Sequence, residues 1–109
     1  MTPEGKVKAM VKQMLHQYGM VNAAKAGSDE ANAAIGWYYM PKPWGVQGIP
    51  DFIGHYKGWF WSIEAKKPLE EPTGFQLLQN DTIKQTGGAA FIVDGEHSLN
   101  AFKRWVEGR

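Results

Sequence analysis

The chain contains no cysteine, no long apolar run and almost no net charge, and each absence excludes a class of protein. Without cysteine, its 109 residues form no disulfide and no thiolate metal site, which fits a reducing compartment. No stretch is apolar for long enough to cross a bilayer, so no membrane partner is expected. A net charge of +1 is not that of a polybasic nucleic-acid binder, although acidic metal ligands would mask basic residues in this count.

Aromatic side chains, in contrast, are abundant, with five Trp, four Tyr and five Phe to supply a hydrophobic core. The length suits a single domain spanning residues 1–109, which is large enough to fold without disulfides or a structural metal ion. The N-terminus, Met-Thr-Pro-Glu followed by a lysine-rich amphipathic stretch, does not have the pattern of a secretory signal. We therefore expect a cytoplasmic protein.

The first predicted element is a helix that begins after Thr2. Thr2 suits the N-cap and Pro3 the first helical position, and Gly19 suits the end. Apolar residues recur between them at spacings of three and four, which predicts one buried stripe: Val7, Met10, Val11, Met14, Leu15 and Tyr18.

The rest of the chain alternates strands with two further helices. Residues 20–36 are expected to form a loop containing some short helix or strand. Thr73 and Gln76 make a capping-box pattern at the start of the second helix, and Gly87-Gly88 ends it. The order predicts a mixed α/β (α+β) sheet flanked by helices, with strands at 37–40, 51–56, 59–65 and 89–93, a turn at 57–58, an irregular loop at 41–50, and a last helix holding Leu99, Phe102, Trp105 and Val106.

Asp51, Glu64 and Lys66 form the candidate site. Asp51 starts one predicted strand, and Glu64 and Lys66 stand two apart near the end of the next. Residues two apart on a strand point to the same face, so a carboxylate and an ammonium lie side by side there. If the two strands pair, the Asp51 carboxylate joins them.

Two carboxylates and a lysine suit a divalent metal ion and a phosphodiester. Asp51 would be the central ligand and Glu64 the second, while the main-chain carbonyl of Ala65 could be a third, because hard cations accept backbone oxygens. Lys66 would position the attacking water or offset charge on the phosphate. Lys67 points to the other face, so Lys66 is the expected catalytic lysine.

Each of these residues also has a plain structural interpretation. Asp51 could be a turn residue after Pro50, and Glu64 with Lys66 could be an ordinary pair on a solvated strand. Against this, Glu64 lies among Trp and Ile side chains that predict a buried strand, where a charge needs a partner.

The ordered set of motifs resembles the PD-(D/E)XK nucleases, and in particular the virus-type replication-repair nuclease (VRR-NUC) domain in its small stand-alone phage forms. The resemblance covers most of the chain. The matching pieces are Thr2 to Lys8, Gly48 to Gly54, Ile63 to Pro68, Gln76, Gly87-Gly88 and the strand Ala89 to Val93.

This resemblance implies a restriction-endonuclease-like core with a central mixed sheet, dependence on Mg2+ or Mn2+, and cleavage of DNA. It also implies that Glu4 and Gln76 belong to the catalytic site, that the protein is a homodimer acting on branched DNA, and that a phage-encoded member works in the cytoplasm of a bacterial host. The stretch from Met20 to Gly36 is longer and richer in alanine than the family pattern, which bears on the choice of substrate.

Several further residues are candidates for contact with nucleic acid. Lys6 and Lys67 could bind phosphates, although a solvated face is the usual place for lysine. His55 could touch DNA, or could be structural. Trp37 and Tyr39 could stack on unpaired bases, but core positions are expected for both. The sequence does not decide between these two roles for Trp44.

The sequence therefore leads to one function and two alternatives. The favoured function is a metal-dependent endodeoxyribonuclease acting on structured DNA. The first alternative is a non-catalytic DNA-binding module with a nuclease-like fold, and the second is a small metal-dependent hydrolase of nucleotides.

Overall fold

A computed structural model describes residues 1–42 and 44–109. Its elements follow the predicted order of helix, strands, helix, strand and helix, with extra short elements before the second strand. In chain order they are α1 (Pro3–Gln17), β1 (Met20–Asn22), a 3-10 turn (Ala23–Lys25), α2 (Asp29–Ala33), β2 (Gly36–Tyr39), β3 (Phe52–Tyr56), β4 (Trp59–Ala65), α3 (Gly74–Gln85), β5 (Ala89–Val93) and α4 (Glu96–Glu107).

The five strands form one mixed sheet in the order β1-β2-β3-β4-β5. The pairs β2–β3 and β3–β4 are antiparallel, whereas β1–β2 and β4–β5 are parallel. A parallel neighbour needs a crossover, which α3 supplies between β4 and β5. The predicted fold class, a mixed α/β sheet with flanking helices, is confirmed.

The hydrophobic core lies on one face of the sheet, beneath α1 and α4. The ring centroids of Trp61 in β4 and Phe102 in α4 are 5.1 Å apart in an edge-to-face arrangement that aromatic pairs favour. The other face is covered only in part, because α3 packs against β5. The core residues include Val7, Val11, Met14, Leu15, Tyr38, Phe52, Ile63, Ala65, Val93, Leu99 and Val106.

Local signals in the sequence explain the ends of these elements. The Thr2 hydroxyl accepts a hydrogen bond from the main-chain N–H of Gly5 and caps α1. Thr73 and Gln76 form the predicted capping box at the start of α3. Lys57 and Gly58 both have positive φ angles, as a tight turn between β3 and β4 requires.

Two expectations need correction. The third strand begins at Phe52, so Asp51 precedes it rather than opening it. Residues 20–36 contain short helix and strand as expected, and β1 among them is a fifth strand of the sheet. The assignment of Trp37 and Tyr39 to the core is wrong: Tyr38 between them is buried, while Trp37 and Tyr39 point to the face of β2 opposite the core.

No helix among the described residues is long and apolar enough to span a membrane.

Candidate metal centre

Asp51, Glu64 and Ala65 meet where β3 begins and β4 ends. Phe52 pairs with Ile63 in the antiparallel ladder, so Asp51 and Glu64, one position further on each side, face each other. Asp51 Oδ2 accepts a hydrogen bond of 2.9 Å from the main-chain N–H of Ala65. This bond ties the loop before β3 to the end of β4 and fixes the Asp51 carboxylate beside Glu64.

The Ala65 main chain is oriented toward the same side. In an antiparallel ladder, a residue directs its N–H and C=O groups toward the same neighbouring strand. Since the Ala65 N–H donates to Asp51, the Ala65 carbonyl is directed toward the Asp51 side of β4 as well. On the other side of β4, the Lys66 N–H donates to the Val93 carbonyl, as the alternation requires. A backbone oxygen is thus available next to the two carboxylates.

Glu64 is the most perturbed group of this cluster. It is only 5% exposed, and its Oε2 has no hydrogen-bond partner among the described residues. Burial makes the largest contribution, and together with hydrogen bonding and charge repulsion from the Asp51 carboxyl and a smaller repulsion from Glu4 it raises the pKa of Glu64 to about 9, against a downward effect of Lys66. A carboxyl group in this position holds a proton at neutral pH unless a cation replaces it.

Lys66 lies beside Glu64 and is itself buried, with 7% of its surface exposed. Its Nζ is 4.0 Å from Oε1 of Glu70, four residues further along the chain. Lys67, the next residue, is exposed. Glu70 could not be singled out from the sequence, because nothing in a loop between prolines indicates which carboxylate returns to the site.

A second lysine, Lys8 of α1, joins the cluster. Its Nζ is 3.4 Å from Glu4 Oε2 and 3.7 Å from Asp51 Oδ1, so it bridges the helix to the candidate site. Glu4 therefore lies near the centre, and its membership of a catalytic site stays a prediction. The sequence signal for Lys8 was the i, i+4 spacing to Glu4 on one helix.

Gln76 lies on the first turn of α3, and its Oε1 accepts a 2.8 Å hydrogen bond from the main-chain N–H of Thr73. The structure thus gives this side chain a capping role, and a role in catalysis stays a prediction. The loop before Asp51 packs on the same turn, because a Cβ at Gly48 would overlap the main chain of Phe75. The helix start and the candidate site are in this way held together.

The predicted nucleic-acid contacts are spread over the surface. Lys6 and Lys67 are exposed. His55 is at the far end of β3 from Asp51, about 13 Å away at strand spacing, and its Nδ1 accepts a hydrogen bond from the Gly58 N–H in the turn. His55 is therefore part of the turn structure, and its contact with DNA stays a prediction.

The residues fit a divalent metal ion such as Mg2+ or Mn2+. No three His, Asp or Glu side chains among the described residues form a complete metal cluster. Mg2+, however, is commonly held by one or two carboxylates, with waters and substrate phosphates completing the shell. Asp51 and Glu64 supply that pair, and the unpartnered Oε2 of Glu64 is the kind of buried oxygen that a cation would satisfy.

Comparison with protein-family models, with curated proteins and with solved structures finds no match to this chain.

Proposed function

We propose that this chain is a metal-dependent DNA endonuclease with a PD-(D/E)XK core of the VRR-NUC type. The observation that carries the proposal is the buried Glu64 carboxyl, which has an unpartnered oxygen and lies beside Asp51 and Lys66. A strand position of this kind favours an apolar residue, and an acid there is costly unless a ligand compensates it. A divalent cation is the ligand that compensates two facing carboxylates.

Asp51 and Glu64 would hold the metal ion, with the Ala65 carbonyl as a further oxygen. When bound, Mg2+ or Mn2+ acts as a Lewis acid on the phosphoryl group and lowers the pKa of a bound water. The hydrogen bond from the Ala65 N–H keeps Asp51 oriented before the ion arrives. The contribution of the protein is a fixed pair of carboxylates that needs little rearrangement.

Lys66 would act on the substrate rather than on the metal. Its ammonium lies near Glu70 and is largely removed from water, which would strengthen its interaction with a phosphate oxygen. It either orients the attacking water or offsets the charge that develops on the phosphate. Lys8, held between Glu4 and Asp51, adds a second positive group at the same edge.

The choice of DNA as substrate, and of a homodimer acting on branched DNA, rests on the family resemblance. Lys6 on α1 and Lys67, the residue after Lys66, are exposed, which suits contacts to phosphates. A symmetric dimer would bring two such sites to two strands.

The proposal is tested with branched and linear DNA incubated with Mg2+, Mn2+ or EDTA. Asp51→Asn keeps an acceptor for the Ala65 N–H but removes one of the two carboxylates. Asp81→Asn, on the exposed surface of α3, is its matched control. We expect cleavage that requires metal, is lost in Asp51→Asn and is retained in Asp81→Asn. Cleavage that continues equally in EDTA would exclude the proposed mechanism. Binding of DNA without cleavage in any metal would favour the non-catalytic module instead.

A further inference from the structure

An open patch of aromatic and apolar side chains lies on the sheet face that carries Asp51 and Glu64. We call it the aromatic face, and it consists of Trp37 and Tyr39 of β2, Ile53 and His55 of β3, and Phe60 of β4. Trp37 is 38% exposed and Tyr39 40%, although both belong to the middle of a sheet. Large aromatic residues left open there are unusual enough to need a function.

The aromatic face is continuous with the candidate metal centre. Tyr39 pairs with Ile53, and Ile53 pairs with Ser62, so these positions lie side by side across three strands. Asp51 is two residues from Ile53, about 7 Å along the strand direction, and faces the same way. A strand of DNA with a phosphate at the metal centre would therefore pass over the aromatic face within one or two nucleotides.

The rings of Trp37 and Tyr39 present nearly parallel surfaces. The ring planes of Trp37 and Tyr39 are inclined by only 19°, with centroids 6.4 Å apart. Beside Tyr39, which contributes to its lining, a cleft of about 330 Å³ is bordered by Asn22, Ala23, Ala24 and Met40, so the end of β1 and the turn after it adjoin this ring. That volume is in the range of small-molecule sites.

The chemistry of the surroundings favours nucleic acid over a second copy of this chain. A protein surface covering the aromatic face would also bury the neighbouring His55 and approach the carboxylates of the metal centre, at a cost in desolvation. Unpaired bases stack on aromatic rings while their phosphates stay in solvent. Paired bases have their faces covered within the duplex, so only unpaired bases suit these rings.

We propose that the aromatic face is a stacking site for unpaired nucleobases, which directs the metal centre to single-stranded segments or to the junctions where they begin. The inference rests on the proposed function for the class of ligand, but not on catalysis. It also gives a role to part of the segment from Met20 to Gly36, since Asn22, Ala23 and Ala24 line the cleft beside Tyr39.

The test measures binding in EDTA, so that it does not depend on cleavage. Anisotropy of a labelled oligothymidylate reports affinity for the wild type, for Trp37→Leu and Tyr39→Leu, and for the ring-preserving Trp37→Phe. Trp59→Leu is the matched control, because Trp59 is 56% exposed but projects from the other face of β4. An abasic oligonucleotide of the same length keeps the phosphates and removes the bases.

Each leucine variant should weaken binding of oligothymidylate about tenfold, while Trp37→Phe and Trp59→Leu bind nearly as the wild type. The abasic strand should bind weakly, and equally, to all of them. Equal affinity of wild type and Trp37→Leu for oligothymidylate would overturn the proposal. So would a loss of affinity in Trp37→Leu that is as large for the abasic strand as for oligothymidylate. So would conversion of a dimer to a monomer by Trp37→Leu in light scattering, since a second copy would then occupy the face. If the protein binds unpaired bases in this way but never cleaves DNA, the proposed nuclease function is refuted and the stacking site stands.

Discussion

Replacing Glu64 by Gln should stabilise the metal-free protein at neutral pH. Glutamine has nearly the shape of a protonated glutamic acid and offers the same kind of donor to Asp51, but it never has to take up a proton. Since the ordinary pKa of glutamate, 4.5, applies in the unfolded chain, keeping Glu64 protonated at pH 7 costs at most about 3 kcal/mol of the free energy of unfolding, and less where solvent screens the site. Removal of that cost raises the melting temperature by at most about 10–20 °C for a domain of this size.

The pH dependence gives this prediction its sign. The folded-state pKa of Glu64 is raised to about 9, so between pH 4.5 and 9 the folded protein holds a proton that the unfolded chain has released. Stability from this group is therefore complete below pH 4.5 and declines as the pH rises, by about 1.4 kcal/mol per unit. The difference between Glu64→Gln and wild type should be small near pH 4.5 and should grow steadily up to pH 9.

Thermal or urea unfolding in EDTA, followed by circular dichroism from pH 4.5 to 9, measures this difference. Glu71→Gln, an exposed carboxylate in the loop before α3, is the matched control and should follow the wild type at every pH. If the stability of Glu64→Gln equals that of the wild type at every pH, or is lower at pH 8, then Glu64 is ionised in the folded protein. The argument that Glu64 is protonated until a cation binds would then be wrong.

The remaining predictions concern the site and its supports. Lys66→Ala should fold but cleave DNA in Mg2+ at least about a hundredfold more slowly, the usual scale for removing an electrostatic stabiliser. Lys25→Ala, at an exposed position, is the control and should cleave at the wild-type rate. Equal rates for the two variants would remove Lys66 from the mechanism. Thr73→Ala should lower stability by about 1 kcal/mol in urea unfolding, because the cap of α3 is lost; no change would mean that the capping box contributes nothing. Gly48→Ala should cost more than about 1 kcal/mol, since its φ of +79° is unfavourable for alanine and its Cβ would overlap the start of α3; a stable variant would refute that packing.

Much of the fold could be predicted from local signals. The strand Trp59–Ala65, the turn at Lys57-Gly58 and the helix starting after Thr73 are encoded by short-range patterns: an apolar run, a positive-φ dipeptide and a capping box. The facing of Asp51 and Glu64 followed from alternation along paired strands, and the structure brings the two together.

Other features depend on which face each helix covers, and the sequence does not carry that information locally. The run from Trp37 to Tyr39 is equally aromatic throughout, and only the position of α1 decides that Tyr38 is buried and its neighbours are open. Lys8 likewise reaches the centre through tertiary packing from α1, whereas Glu70 contacts Lys66 from four residues further along the same segment. Strand β1 could not be predicted because three residues are too few to show a period.

Titration of Mn2+ into the metal-free protein at pH 7, followed by calorimetry in two buffers of different ionisation enthalpy, tests the account most directly. We predict one ion bound per chain with release of about one proton, because the cation replaces the proton on Glu64, and no binding to Glu64→Gln. Saturable binding of the same strength to Glu64→Gln, or binding to the wild type without proton release, would contradict the claim that Asp51 and Glu64 hold the ion.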